Sequence, residues 1–218
     1  MPKALVWDTP SERYYGYGVS KGVHYMKDES GDYTQAAVWN GLTTVTDKPT
    51  GADSTKLWAD GIEYAVLRAT ETYECTIEAY TYPDQFAECD GSAALADGVI
   101  IGQQVRKPFG LCWRSEIGNA EGTEAGYILH LAYGLTVSPS EKSHQTVNES
   151  IEAETMSWDA EGSPVTVTGY KPTAKLTVDS RKVDAAKMKA LEDVLYGSST
   201  ADARLPLPDE VLTLVKGA

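Results

Sequence analysis

ECTIEAYTYPDQFAECDGSAALADGVIIGQQVRKPFGLCWRSEIG, residues 74–118, is the stretch whose reading decides the fold. With Tyr73 added, its first part alternates. Tyr73, Cys75, Ile77 and Ala79 fall on one side, and Glu74, Thr76, Glu78 and Tyr80 on the other. That is the period of two expected of a strand with one buried face. Pro83-Asp84 ends the strand. Asp90-Gly91-Ser92 offers a turn or a helix cap before the small-residue run Ala93-Ala94-Leu95-Ala96. Val99-Ile100-Ile101 and Phe109-Gly110-Leu111-Cys112-Trp113 read as two more strands, joined across Lys107-Pro108. The stretch predicts strand, turn, short helical turn, strand, strand, and no catalytic motif falls within it.

The same pattern extends outward in both directions. Gly126–Thr136 has the strongest alternation in the chain, with Tyr127, Leu129, Leu131, Tyr133 and Leu135 on one face and Ile128, His130, Ala132 and Gly134 on the other. Ala36–Thr46 is a strand interrupted at Asn40-Gly41 by a bulge or tight bend. Gly61–Ala69, Ala153–Trp158, Val165–Val167 and Lys175–Val178 bring the count to at least eight. Short strands with turns every ten or so residues predict an antiparallel sandwich or barrel. One helix is expected over 184–196, capped by Asp184. Val183 staples to Met188, Met188, Leu191, Val194 and Leu195 form a single apolar stripe, and Gly197 closes the helix. The predicted fold is mainly β: an antiparallel β-sandwich with one flanking α-helix, an extended loop and terminal arms.

The parts outside the strands divide the chain into an N-terminal arm (1–35), the sandwich domain (36–200) and a C-terminal tail (201–218). Residues 1–35 read as irregular and rich in glycine and tyrosine, and Tyr14, Tyr15 and Tyr17 offer the large amphipathic area that suits a subunit interface. Gly16-Tyr17-Gly18 lacks the preceding strand and following capped helix of a phosphate loop. Asp47 to Thr55, with Lys48, Pro49 and Asp53, reads as a long polar loop, and loops of that length are functional or mobile. Leu205-Pro206-Leu207-Pro208 reads as a rigid linker into a short helical turn. Its Leu205, Leu207, Val211, Leu212 and Leu214 need cover from their own domain or from another subunit.

The composition narrows the chemistry. Asp plus Glu number 32 against 19 Lys plus Arg, a formal net charge of −13, which argues against a nucleic-acid binder, since contacts to the phosphate backbone need a basic patch, but not against a conduit that DNA passes without sticking. Thirteen Tyr and five Trp against two Phe favour strands with wet edges. Cys75, Cys89 and Cys112 are odd in number with no CxxC. No disulfides and a reducing compartment are expected, since MPKALVWDTP lacks the apolar core of a signal peptide. No apolar run is long enough to span a bilayer. Asn148-Glu149-Ser150 fits the glycosylation pattern but carries no meaning without secretion. His24, His130 and His144 show no metal spacing, and no nucleophile elbow, P-loop or zincin motif occurs. Glu74 and Glu78 share a strand face about 13 Å apart, too far for a glycosidase pair. Asp84, Glu88 and Asp90 lack the spacing of a calcium loop. Neither an enzyme, nor a cofactor, nor a metal site is expected.

EAYTYPDQFAECDGSA (78–93), IGQQVRKPFGLCWRSEIGN (101–119) and YGLTVSPSEKSHQTVNES (133–150) resemble the major tail protein, or tail tube protein, of long-tailed siphophages, in the branch found in phages and prophages of Gram-positive bacteria. The resemblance runs from about Tyr15 to Val215. It implies a sandwich of the tail-tube type, with subunits in hexameric rings stacked into a tube through which double-stranded DNA passes without specific binding. It also implies a tape measure protein, a distal tail protein and a tail terminator protein as partners, and a place in the virion tail after assembly in the host cytoplasm, with no membrane. Loop 47–59, including Trp58, would reach the next ring, with the N-terminal arm and the C-terminal tail as further ring-to-ring elements. Glu74 and Glu78 are the candidates for an acidic lumen. The alternatives are the inner tube of a contractile injection or secretion device, and a β-sandwich binding module. The module would need Trp39, Trp58, Trp113 and Trp158 exposed as an aromatic platform.

Overall fold

The structure is a computed structural model and describes residues 4–146 and 153–217. Its strands, in chain order, are β1 (Tyr15–Met26), β2 (Gln35–Val38), β3 (Leu42–Asp47), β4 (Thr50–Gly51), β5 (Ser54–Ala59), β6 (Ile62–Arg68), β7 (Glu71–Ala79), β8 (Ala93–Ala96), β9 (Val99–Ile101), β10 (Phe109–Asn119), β11 (Gly122–Val137), β12 (Met156–Gly162) and β13 (Lys175–Asp179). Two α-helices close the chain, α1 (Ala185–Tyr196) and α2 (Pro208–Lys216). The protein is mainly β, an antiparallel sandwich with flanking helices.

The main sheet runs β2-β1-β10-β11-β12-β7-β3, with β13 also on β11 and β4 on β7. The 16-residue β11 belongs to both layers of the sandwich. Its first half pairs with β13 at Ile128–Ala132, and its last residues, Leu135–Val137, pair with β12. One layer is therefore β2-β1-β10-β11-β13 and the other is β11-β12-β7-β3. Between them lies a core of Cys75, Ile77, Ala79, Phe86, Phe109, Leu111, Trp113, Ala132, Leu135, Trp158 and Ala160. A second core, on the opposite side of the first layer, contains Tyr25, Cys112, Leu129, Leu131 and Tyr133 beneath Met188, Leu191 and Leu195 of α1 and Val211 of α2. The molecule thus has three layers: sheet, sheet, helices.

The alternation read at 73–80 holds, since Cys75, Ile77 and Ala79 are buried and β7 sits between β12 and β3. In β11 the expected face breaks at one residue. Leu129, Leu131 and Tyr133 do share the helix-side core, but Leu135 enters the inter-sheet core with Ala132. Gly134 takes φ +60°, and the partners on β10 slip there, so the parity of the strand inverts. Asn40-Gly41 is a true corner: the strand before it pairs with β1 and the strand after it with β7. α1 is capped as expected, the Asp184 side chain accepting from the Ala186 N–H, with Gly197 following at φ 81°.

Other expectations need correction. Residues 1–35 are not an irregular arm, because β1 occupies 15–26 and buries Val23 and Tyr25. Its register shifts at Tyr17/Val19 and Ser20/Val23, and these bulges erase the period of two that would have announced it. The domain therefore begins near residue 15, not 36. The helical turn of the opening stretch falls at Asp84–Glu88 as a 3₁₀ turn, and Ala93–Ala96 is a strand hairpinned with β9. Val165–Val167 contributes a single bridge, Val165 to Thr173. The tail is part of the fold over 201–217: Tyr133 Oη donates to the Pro206 carbonyl (2.9 Å), Arg204 pairs with Glu210, and Asp209 accepts from the Thr168 N–H (3.0 Å). Asn148-Glu149-Ser150 lies outside the described residues.

Candidate functional site

Two surfaces stand out, and both grow from β7. The first is the outer face of the second layer. The buried set of β7 fixes the opposite set outward, and strand pairing aligns the neighbours with it. Glu78 lies beside Ser157 and Thr44, Thr76 beside Asp159 and Thr46, and Glu74 beside Glu161, which in turn pairs with Thr136 of β11. The result is a four-strand face of carboxylates and hydroxyls, carrying Glu74, Glu78, Asp159 and Glu161. Thr76 Oγ1 donates to Asp159 Oδ1 (2.5 Å), and Lys48 Nζ sits 3.4 Å from the same oxygen. These contacts, the Thr76 hydroxyl first and the ammonium after it, hold the Asp159 carboxyl below its ordinary range. Thr50 Oγ1 donates to Glu74 Oε1 (2.6 Å). β3 forms one edge of this layer.

The second surface is the hairpin β5–β6. Its two strands pair from Ser54–Arg68 to Ala59–Ile62, and Asp60-Gly61 forms the two-residue turn with φ +52° and +77°. Positive φ at both positions is what the tight turns of twisted hairpins demand, and Asp-Gly supplies it. The hairpin is a sheet of its own and belongs to neither layer. Leu57, Trp58, Ile62, Tyr64, Val66 and Leu67 are all exposed on it, Trp58 at 65%. Neighbouring positions on a strand point to opposite faces, so the pairs Leu57-Trp58 and Val66-Leu67 put uncovered apolar groups on both sides of the ribbon. Isolated two-stranded ribbons are marginal in water, and contiguous exposed apolar surface marks a contact with another molecule.

The residues singled out in the sequence distribute unevenly over these surfaces. The stretch 47–59, read as a polar loop, is the end of β3 with β4 and β5: Pro49 precedes β4 beside β7, Asp53 stands at the root of the ribbon, and Trp58 lies out along it. Asp47 is not free for a neighbour: it accepts from Tyr73 Oη (2.7 Å) and pairs with Lys175. Lys48 is engaged with Asp159. Tyr14, Tyr15 and Tyr17 are exposed at 50%, 46% and 40%, with the Arg181 guanidinium over Tyr14 and Tyr17 Oη donating to the Thr123 carbonyl. Leu205 and Val211 are buried against their own domain, which corrects their expected role between subunits. Leu207 and Leu212 remain about 40% exposed. The platform required of a binding module is lost, because Trp39, Trp113 and Trp158 are core residues.

Sequence reasoning missed a second exposed hairpin, β8–β9, whose Leu95, Val99 and Ile100 lie in solvent, and an exposed Leu5-Val6-Trp7. The signals were there: Asp60-Gly61 and Asp97-Gly98 each sit between two β-prone runs.

His24 and Cys89 form the closest approach to a reactive pair, with Nε2 3.4 Å from Sγ. Both are sealed in the core at 0% exposure among Trp39, Phe86 and Phe109. Burial lowers the imidazole to about 4 and raises the thiol to about 12, so the pair is neutral and the sulfur is not a thiolate. Cys75 and Cys112 are free and buried as well. Asp90 accepts from Lys142 (2.5 Å) and from the indole of Trp158 (3.2 Å), pinning the segment before β8 to the core. Among the described residues no group of three or more His, Cys, Asp or Glu has the geometry to hold a metal, and no helix is long and apolar enough to cross a membrane. No protein-family model and no curated protein matches the chain.

Proposed function

We propose that this chain is a major tail tube subunit of a long-tailed phage or prophage. It would be a structural protein with no catalytic site, stacking in hexameric rings to form the conduit for double-stranded DNA. The resemblance of segments 78–93, 101–119 and 133–150 supplies the class of assembly. The observation that carries self-association is the β5–β6 hairpin, apolar on both faces and without cover in the monomer. A ribbon of this kind is completed by a second copy. The ring contact is heterologous and closes by rotation, while the stacking contact does not close and gives a filament. The face of Glu74, Glu78, Asp159 and Glu161 lines the lumen, where like charge keeps phosphates from being held. Tape measure, distal tail and terminator proteins would be its neighbours in the virion tail, after assembly in the host cytoplasm. The inner tube of a contractile device shares these features, and gene neighbourhood separates the two.

Negative-stain microscopy and sedimentation of the purified protein test the reading. Rings or tubes are expected from the wild-type chain, and monomers from a variant whose residues 54–68 are replaced by a short turn. Wild-type and shortened chains that sediment alike as monomers at every concentration would overturn it.

A further inference from the structure

A two-stranded ribbon carried on two chain segments has no direction of its own. Between β4 and β5 the backbone takes positive φ at two successive residues, Gly51 (+83°) and Ala52 (+58°), so the arm kinks away from β7 as it leaves the sheet. Below that kink, three side chains from both layers converge. Asp47 ends β3, Tyr73 lies near the start of β7, and Lys175 opens β13 in the other layer. The Asp47 carboxylate accepts from Tyr73 Oη (2.7 Å) and from the Lys175 ammonium. Lys175 also lies over two rings, 5.3 Å from the centroid of Trp113 and 5.6 Å from that of Tyr73. Trp113 stacks on His130 at 4.9 Å and 6°, and His130 Nε2 is 3.0 Å from Ser115 Oγ. The Tyr73 ring presses on the backbone of Gly162, where a Cβ would lie 3.0 Å from the ring and 2.9 Å from Ala174.

This is unlike an ordinary surface ion pair, which holds nothing in place. The Lys175 side chain is only 19% exposed, its charge is shared between a carboxylate and two aromatic faces, and Asp47 is held from a second direction by the tyrosine. The contact joins the end of β3, at the root of the arm, to β13 of the other layer. We propose that Asp47, Tyr73 and Lys175 form a clamp that fixes the direction in which the β5–β6 arm leaves the domain, so that the arm meets a second copy of this chain in one orientation. The role in assembly rests on the function proposed above; the orienting role does not.

The test uses the full chain with spin labels at Ala59→Cys, exposed beside the turn at the tip of the arm, and Lys189→Cys, on α1. The three native cysteines are buried at 0–1% exposure and do not compete. Pulsed dipolar spectroscopy on the monomer should give a narrow distance distribution. Lys175→Gln should broaden it about twofold or more, Tyr73→Phe should broaden it less, and Lys175→Arg, which keeps the cation, should leave it narrow. Exchanging the partners, Asp47→Lys with Lys175→Asp, should narrow it again. A Lys175→Gln variant that is folded by circular dichroism and has the wild-type width would overturn the clamp. If Lys175→Gln does not fold, an unchanged width in Tyr73→Phe and Asp47→Asn together would overturn it. In assembly, a variant lacking 54–68 that forms tubes at the wild-type rate removes the function proposed above and leaves the label result to decide the orienting role. A 54–68 deletion that fails to assemble, alongside Lys175→Gln that assembles normally, removes the clamp's part in assembly alone.

Discussion

Trp58→Ser separates folding from association in a single experiment. Trp58 lies on β5, outside both cores, and is 65% exposed. A tryptophan presents up to about 250 Å², so about 160 Å² of its surface waits in water. At about 25 cal/mol per Å², covering that area on contact with a neighbour is worth about 4 kcal/mol, and about 2 kcal/mol if only half is covered. Each 1.4 kcal/mol is tenfold in an equilibrium constant. On the proposed assembly, the critical concentration for tube formation should therefore rise by about 30-fold to several hundred-fold. The monomer should be indifferent, with its denaturant midpoint within about 0.5 kcal/mol of wild type, as for surface changes away from packed features. Light scattering across a concentration series reads the first quantity and urea unfolding the second. Unchanged assembly, with the ring shown to stay solvent-exposed by its fluorescence quenching, would refute the reasoning.

Other consequences lie within the monomer. Leu205 is buried against Gly110 and Tyr33, so Leu205→Ala should cost about 2–5 kcal/mol of unfolding free energy, whereas a purely inter-subunit leucine would cost the monomer almost nothing. Gly134→Ala should cost at least about 2 kcal/mol by urea unfolding, since φ is +60° and the new Cβ would meet the Ser163 carbonyl at 2.7 Å. His24, whose imidazole is lowered from 6.5 to about 4, gives stability a pH slope. Between those values the unfolded chain takes up a proton that the folded chain refuses. Acidification from pH 6.5 therefore costs up to about 3 kcal/mol, and the loss levels off below pH 4. His130 is shifted in the same direction by burial and then by Lys175. Unfolding curves of His24→Phe should show a shallower slope over that range, and an unchanged slope would refute the assignment.

The sandwich was legible because its inner strands obey simple periods. β7 could be read from Tyr73 to Tyr80 without ambiguity, and so could the apolar stripe and caps of α1. Where the backbone departs from the period, the sequence misleads. β1 hides behind two bulges, one at the glycine with φ +62° and one at Lys21 with φ +49°. β11 changes parity at Gly134, which looks in the sequence like any small residue. The candidate site was half visible. That Glu74 and Glu78 share a strand face follows from the period of two, but Asp159 and Glu161 join them through a pairing with β12 that no local pattern encodes. The arm reads as a polar loop because Asp47-Lys48-Pro49 and Asp53-Ser54 dominate its start. Its apolar residues come later and straddle the Asp60-Gly61 turn. The C-terminal leucines were legible as needing cover, but whether the cover came from their own chain was a tertiary fact.

The two surfaces on either side of β7 have opposite requirements, and that opposition constrains any assembly. Carboxylates packed against a copy of themselves would be desolvated beside like charge, which costs several kcal/mol. The hairpin has the reverse preference. Contact therefore belongs to the hairpin and water to the acidic face. Across a water-filled lumen the repulsion between facing subunits decays over about 8 Å at physiological salt, so it does not oppose closure of a wide ring. In the proposed tube, DNA carrying about one charge per 1.7 Å would meet a wall that releases no counterions to it. Reversing Glu74 and Glu78 to lysine moves the face by four charges per subunit and should turn the wall into a binder. Tubes of the double variant should retain linear double-stranded DNA at 50 mM salt and release it steeply by 200 mM, while wild-type tubes retain none at either. Variant tubes that form normally and hold no DNA at low salt would show that this face lies elsewhere than the lumen.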